Sequence, residues 1–378
     1  MRILYFSQDY TTHDRRFLEK MGETPHDIFY LRLVDSENFY EKRPLPDNIR
    51  IVEWNSGKIS QKDPERLLRL MPDFSAALKN INPDLIHAGP IQSCAFMTAL
   101  SNFHPFLAMS WGSDLLLHAE GSPLLGWISS FVLNRMDFFL CDCDAVLEKA
   151  REYAGVEREK VIQFPWGIEL DRFFRDAESG RRLREELGWG DCLVVLSTRS
   201  WEELYGVESV IKGFAMAYKQ NSRLRLLLLG NGSKQREFEG LIESNGLTES
   251  VHRPGIVPQE RLRAFYSASD IYLSCTKSDG ASISLIEAMA CGLRIIVSEI
   301  PGNMEWIEND KNGWIVYPSE IDKIADCLLA AARSSKRESE KMARLNREIV
   351  NSRANWDVNI RHLLHLYDAV ENESVLQF

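Results

Sequence analysis

Positive charge is in short supply in this chain. Its 378 residues carry 45 Lys and Arg against 55 Asp and Glu, a formal net charge of -10. A partner that is gripped along a nucleic-acid backbone calls for clustered Lys and Arg, and this balance weighs against one. A small anion is a different matter, because a few backbone amides and one Arg can hold a phosphate in an acidic protein. Cysteine supplies no framework. Cys94, Cys141, Cys143, Cys192, Cys275, Cys291 and Cys327 are odd in number and irregular in spacing, and most lie in apolar runs. Buried reduced thiols of a cytoplasmic protein are the simplest account. Cys141 and Cys143 form a CxC, not the CxxC of a metal or redox pair. The longest apolar stretch, Leu124–Leu140, is broken by Asn134, Arg135 and Asp137 and cannot span a bilayer. It reads as a core helix followed by a strand, or as a surface that rests on a membrane. The first ten residues lack the apolar core and cleavage pattern of a secretory leader. No GxGxxG follows the first strand, which weighs against a dinucleotide dehydrogenase.

What is present is alternation. Short apolar runs at Arg2–Ser7, Asp27–Leu33, Ile49–Trp54, Asp84–Ala88, Phe106–Trp111, Phe138–Cys141 and Val161–Phe164 are separated by helix-period segments such as Pro64–Asn80 and Gln92–Ser101. After a charged stretch, Arg172–Asp191, the pattern restarts at Cys192–Ser197. It continues through Arg225–Leu229, Val251–His252, Ile271–Ser274, Arg294–Val297 and Trp314–Val316, with helices at Val207–Gln220 and Ser233–Asn245 between. Two parallel sheets, each covered on both faces, follow from such alternation. The change of domain falls near residues 168–191, giving a first domain over 1–170 and a second over 171–354. The remainder from Ser319 to Asn372 is helical by pattern, with Trp356, Ile360, Leu363, Leu364 and Tyr367 on one face.

The segment richest in chemistry runs from Ser274 to Gly292. A strand ends at Ser274, and a loop containing Gly280 and Ala281 leads into a helix that begins near Ser282 and ends before Gly292. The unpaired amides of that first turn, at Ser282, Ile283 and Ser284, can hold a diphosphate without any side chain. Ser282 can equally be a plain helix cap. Asp279 and Glu287 cannot favour phosphate, but they can accept hydrogen bonds from sugar hydroxyls on either side of it. In the first domain, the loop after the first strand places His13, Asp14 and Arg16 where a doubly wound sheet binds its ligands, with a capping role for Asp14 as the alternative.

Asp279 through Glu287, followed by Ala288-Met289-Ala290-Cys291-Gly292, resembles the acidic-x7-Glu and EAMAxG signature of the retaining GT-B glycosyltransferases. That family includes bacterial mannosyltransferases, sucrose synthases and lipopolysaccharide glucosyltransferases. Phe164–Glu169 with Phe173 resembles its interdomain linker, Leu229-Gly230-Asn231-Gly232 its G-x-G turn, and Gly255-Ile256-Val257 the loop whose backbone meets the base. Pro301-Gly302-Asn303 with Glu305 and Asn312-Gly313-Trp314 complete the series. The resemblance implies two doubly wound Rossmann-like domains facing across a cleft. A final helix, about residues 355–372, is expected to pack back on the first. It also implies transfer of a sugar from a UDP or GDP sugar to a sugar or lipid-linked acceptor, with retention and without a metal or other cofactor. Arg199 is expected on the diphosphate, Glu287 on the ribose and Asp279 at the donor sugar. Asp114 and Trp111 are expected at the reacting sugar, with His87 near the acceptor.

Several positions depart from the family. Its usual first acid is Glu, here Asp279. Tyr205 stands where a Lys is usual, with Lys277 or Lys234 as substitutes. Trp111 replaces a His in Trp111-Gly112-Ser113-Asp114. These departures keep two alternatives open, a non-catalytic nucleotide-sugar-binding partner subunit and a nucleotide-sugar epimerase. A lipid-linked acceptor would bring peripheral contact with the inner face of a membrane, for which Arg15, Arg16, Lys20, Arg66 and Arg69 are the nearest thing to a basic face.

Overall fold

The computed structural model describes residues 1–34, 41, 43–54 and 64–372. The chain forms two compact units, Met1–Pro165 with the segment from Val358 onward, and Trp166–Asp357. In the first, strands β1 (Arg2–Ser7), β2 (Asp27–Arg32), β3 (Arg50–Ile51), β4 (Leu85–Gly89), β5 (Phe106–Met109), β6 (Phe138–Cys141) and β7 (Val161–Gln163) make one sheet in the order β3-β2-β1-β4-β5-β6-β7. Every pairing recorded in it is parallel. Ile3, Leu4, Tyr5 and Phe6 of β1 are all fully buried. Helices cover both faces of a parallel sheet, so its central strands read as unbroken apolar runs.

The second unit repeats the design. Strands β8 (Leu193–Ser197), β9 (Leu224–Leu229), β10 (Val251–Gly255), β11 (Ile271–Ser274), β12 (Arg294–Ser298) and β13 (Trp314–Val316) are ordered β10-β9-β8-β11-β12-β13. Side chains alternate across it. Val194, Leu196, Leu227 and Leu229 enter one core, while Val195, Leu226 and Leu228 enter the other.

Three sequence expectations are revised. The run Ile49–Trp54 pairs only at Arg50–Ile51, an exposed sheet edge. The segment Gln92–Ser101 opens with a π-helical turn, Ile91–Ala95, before the α-helix Phe96–Ser101. The C-terminal stretch is four helices, Ile321–Arg333, Lys336–Arg353, Trp356–Asn359 and Arg361–Glu371, so the final helix expected at about 355–372 is divided in two. Ser335 starts the second of these with a capping box closed by Glu338. Asn355 leaves helical geometry to bridge to Ile168. The last helix packs on the first unit, where the Tyr367 hydroxyl lies 2.7 Å from His87 Nδ1.

Candidate functional site

In an open parallel sheet, ligands bind beyond the carboxyl ends of the strands, where the strand order reverses. The second sheet reverses between β8 and β11. Beyond β8 comes Arg199, and beyond β11 comes the loop that enters the helix Ile283–Ala290. The fold therefore joins two segments about eighty residues apart, and their side chains meet. Arg199 Nη1 donates to Ser282 Oγ at 2.9 Å and to Ser284 Oγ at 3.2 Å. Its Nη2 forms a close ion pair with Asp279 Oδ2 at 2.8 Å. Its guanidinium carbon stands 4.3 Å from the centre of the Tyr205 ring. Burial works against the charge on Arg199, but Asp279 together with Tyr272 and Tyr205 outweighs it and holds the guanidinium above its usual pKa. Ser282 stands at the helix N-cap yet makes no side-chain capping bond. Its hydroxyl is turned to Arg199 instead, which leaves the first-turn amides without a side-chain cap from this residue.

One turn into the helix, Glu287 is buried and accepts a hydrogen bond of 2.6 Å from the Tyr266 hydroxyl. Burial and then the adjacent Glu287 charge push that phenol well above its usual range. Tyr272 on β11 contacts Ser284 Oγ at 2.7 Å. Sequence reading missed Tyr205, Tyr266 and Tyr272 as parts of this cluster. An oriented hydroxyl on β11 is visible in the sequence only as one more bulky residue of a strand.

Close approach explains the surrounding glycines. Gly206 has φ +62°, and a Cβ there would collide with the Cys275 carbonyl. A Cβ on Gly230, φ +96°, would lie 2.7 Å from Arg199 O. A Cβ on Gly302 would strike the carbonyls of Gly280 and Asp279. Ala281 is buried within the loop and Ile256 is 70% exposed. Lys277 and Lys234, considered as stand-ins for the absent family lysine, form exposed ion pairs with Glu203 at 3.1 Å and Glu237 at 2.8 Å. Arg199 does not pair with the nearby Glu202 or Glu203. Glu202 accepts from Ser233, and Glu203 takes Lys277.

The first sheet reverses between β1 and β4. Here His13 and Trp111 meet, with ring centres 5.7 Å apart. Burial, with the Arg16 charge, lowers the His13 imidazole to about 3, so it is neutral at ordinary pH. Asp14 has a structural post. It is buried, and it closes the capping box of the helix Thr12–Gly22 with Thr11 while accepting from Tyr5 at 3.0 Å. Burial raises its carboxyl to about 6 against those bonds. Arg16 is buried too. Asp114 is 2% exposed, and its two oxygens accept from Ile91 N at 2.9 Å, Ser110 Oγ at 2.6 Å, Leu115 N at 3.0 Å and Trp111 N at 3.3 Å. That carboxylate ties the loop after β4 to the loop after β5. His87 is fully enclosed between Tyr5 and Tyr367, and burial lowers it to about 3. Of the suggested basic face, three residues are already engaged. Arg15 pairs with Glu19 and Lys20 with Glu23, and Arg16 is inside.

Residues 2–143 match the family model for glycosyl transferase 4-like proteins, and residues 181–348 match the model for glycosyl transferases group 1. The second of these segments is thus similar to the glycosyl transferases group 1, and the first to the glycosyl transferase 4-like proteins. The alpha-monoglucosyldiacylglycerol synthase of Streptococcus pneumoniae is 25% identical to this chain over 226 residues, 57% of this chain and 50% of that one. The chain spans about half the length of the curated relatives it matches. Among solved structures, the sucrose-phosphate synthase of Thermosynechococcus elongatus superposes with a TM-score of 0.84 at 17% identity, over 99% of this chain and 100% of that one. The Anabaena protein HepE, solved in complex with UDP-glucose, gives 0.79 at 16% identity, over 98% and 100%. The chain thus has the two parallel-sheet, Rossmann-like domains of the GT-B fold. Among its described residues, no helix is long and apolar enough to cross a membrane.

Proposed function

We propose that this protein is a glycosyltransferase that takes a sugar from a UDP or GDP sugar and passes it, with retention at the anomeric carbon, to a sugar or lipid-linked acceptor. One observation carries the reading: a guanidinium seated at the opening turn of the helix Ile283–Ala290, hydrogen-bonded to the serines at that turn. Helix amides and one Arg are the donor set a departing diphosphate requires, and they supply its charge stabilisation without a metal ion. Glu287, held by Tyr266, is oriented to accept from a ribose hydroxyl. Asp279 faces the donor sugar, and the exposed backbone at Gly255–Val257 meets the base. HepE was solved with UDP-glucose, which favours a nucleotide sugar here as well. On the first unit, Trp111 and His13 are the groups placed for the acceptor, with Asp114 and Arg16 behind them. The synthase relative, named for a diacylglycerol product, favours a lipid acceptor and hence contact with the inner face of a membrane. Leu117, Leu124 and Trp127 are the exposed apolar side chains suited to that contact.

A thermal-shift panel of UDP, GDP and ADP sugars tests the donor assignment. A ligand at about 100 times its Kd should add about 2.7 kcal/mol. Glu287→Ala should remove the shift while the protein remains folded. If none of the sugar nucleotides raises the melting point of the native chain, the donor reading is lost. Flotation with anionic lipid vesicles tests the membrane contact. Binding that survives Leu124→Ser with Trp127→Ser would remove that surface from the account.

A further inference from the structure

The helix Arg361–Glu371 brings Asp368 and Glu371 to His26, the residue immediately before β2. The His26 side chain is fully enclosed, whereas the two acid side chains are 58% and 44% exposed. Asp368 Oδ1 lies 3.7 Å from His26 Nε2, and Glu371 Oε2 lies 3.8 Å from Nδ1. Both separations exceed hydrogen-bond reach, and Nε2 is buried with no hydrogen-bond partner. A buried ring nitrogen left so is uncommon and needs a cause. One ligand atom from each of the three residues lies within 4.8 Å of the others.

We propose that His26, Asp368 and Glu371 bind a divalent transition-metal ion of the zinc class. Such an ion sits about 2.0–2.2 Å from imidazole nitrogen and carboxylate oxygen, so its ligands stand roughly 3–4 Å apart, and one ring nitrogen and one oxygen of each acid here already lie within 4.8 Å of one another. One imidazole nitrogen and two carboxylate oxygens form a mixed set that suits zinc, whereas magnesium and calcium prefer oxygen alone. Two carboxylates balance the ion's charge. The Met1 amine now donates to Glu371 Oε1 at 2.7 Å, and the metal takes over that neutralising role. The site is structural. It staples the last helix to the start of β2.

The test uses the untagged, chelator-treated full-length chain, titrated calorimetrically with Zn2+, with Mg2+ as the control. One equivalent of Zn2+ should bind with micromolar affinity and raise the melting temperature in a concentration-dependent way, while Mg2+ does neither. Asp368→Asn with Glu371→Gln, both at exposed positions, should weaken binding at least tenfold without loss of the fold. Co2+ should give visible bands of a nitrogen and oxygen site with no thiolate charge-transfer band. Absence of Zn2+ binding, unchanged affinity in the double variant, or a thiolate band from the cysteines would each overturn the proposal.

Discussion

Replacing Asp279 by Asn removes the carboxylate that occupies the Arg199 guanidinium while the donor is away. The two groups stand 2.8 Å apart with side chains 24% and 12% exposed. A diphosphate that reaches Arg199 must displace Asp279 or share the guanidinium with it, and in either case it meets a negative charge. Fully exposed ion pairs contribute about 0–1 kcal/mol, while hydrogen bonds to charged groups contribute about 1.5–3 kcal/mol. A pair of this partial exposure falls between, at about 1–1.5 kcal/mol. Asp279→Asn should therefore bind free UDP or GDP roughly tenfold more tightly than the native chain, since about 1.4 kcal/mol is one decade. The gain should shrink as salt rises and screens the removed charge. The intact sugar nucleotide should gain less, because the same substitution alters the group that faces its sugar. Turnover should fall even as nucleotide affinity climbs. Calorimetry of UDP, GDP and the matching sugar nucleotides at low and high salt reads all of these quantities. Equal or weaker binding of the free diphosphates by Asp279→Asn would show that Asp279 does not compete for Arg199.

Other expectations follow from the same geometry. Gly206→Ala puts a Cβ into the Cys275 carbonyl at a positive φ, and should cost at least ~2 kcal/mol in denaturant unfolding; a loss below ~0.5 kcal/mol would contradict the close approach. Asp114→Asn turns an amide donor toward groups that themselves donate. Stability and turnover should fall together, by about 1–3 kcal/mol and several-fold, whereas lost turnover at unchanged stability would place Asp114 on the substrate. His87 is neutral in the folded chain with its pKa lowered to about 3, while unfolding returns it to about 6.5. The unfolded state then binds the extra proton between those values, so stability is fully present above pH 6.5. It falls by up to ~1.4 kcal/mol per pH unit as pH drops toward 3. His87→Gln should flatten that slope in pH-dependent denaturant unfolding, and an unchanged slope would assign the acid sensitivity elsewhere.

Much of the fold is legible because a parallel sheet covered on both faces imposes long apolar runs. The bounds of β1, β6, β11, β13 and the helix Val207–Gln220 coincide with the runs visible in the sequence. β3 is shorter than its run because an edge strand has one neighbour and little burial to hold it. At the site, the loop and helix from Asp279 to Glu287 are recognisable because their spacing is local. What could not be read was direction. A carboxylate after a strand can face solvent or close a loop, and for Asp114 the choice depends on Ile91 N, which arrives from another strand end. His87 was hidden in the same way, since the Tyr5 and Tyr367 that enclose it come from distant positions in sequence. Tyr205 beneath Arg199 shows the converse. A missing lysine looks like a deficit until the ring is seen to carry the guanidinium.

The first unit is assembled from both ends of its polypeptide, and this sets an order for biosynthesis. While the chain leaves the ribosome, everything from Trp166 to Asp357 emerges before the helix Arg361–Glu371 that covers Met21 and His87. The second unit can finish folding while the first still has an uncovered apolar flank and an unanchored Tyr5 neighbourhood. Nascent chains halted before residue 358 should thus be held by chaperones through their N-terminal half, although that half was made first.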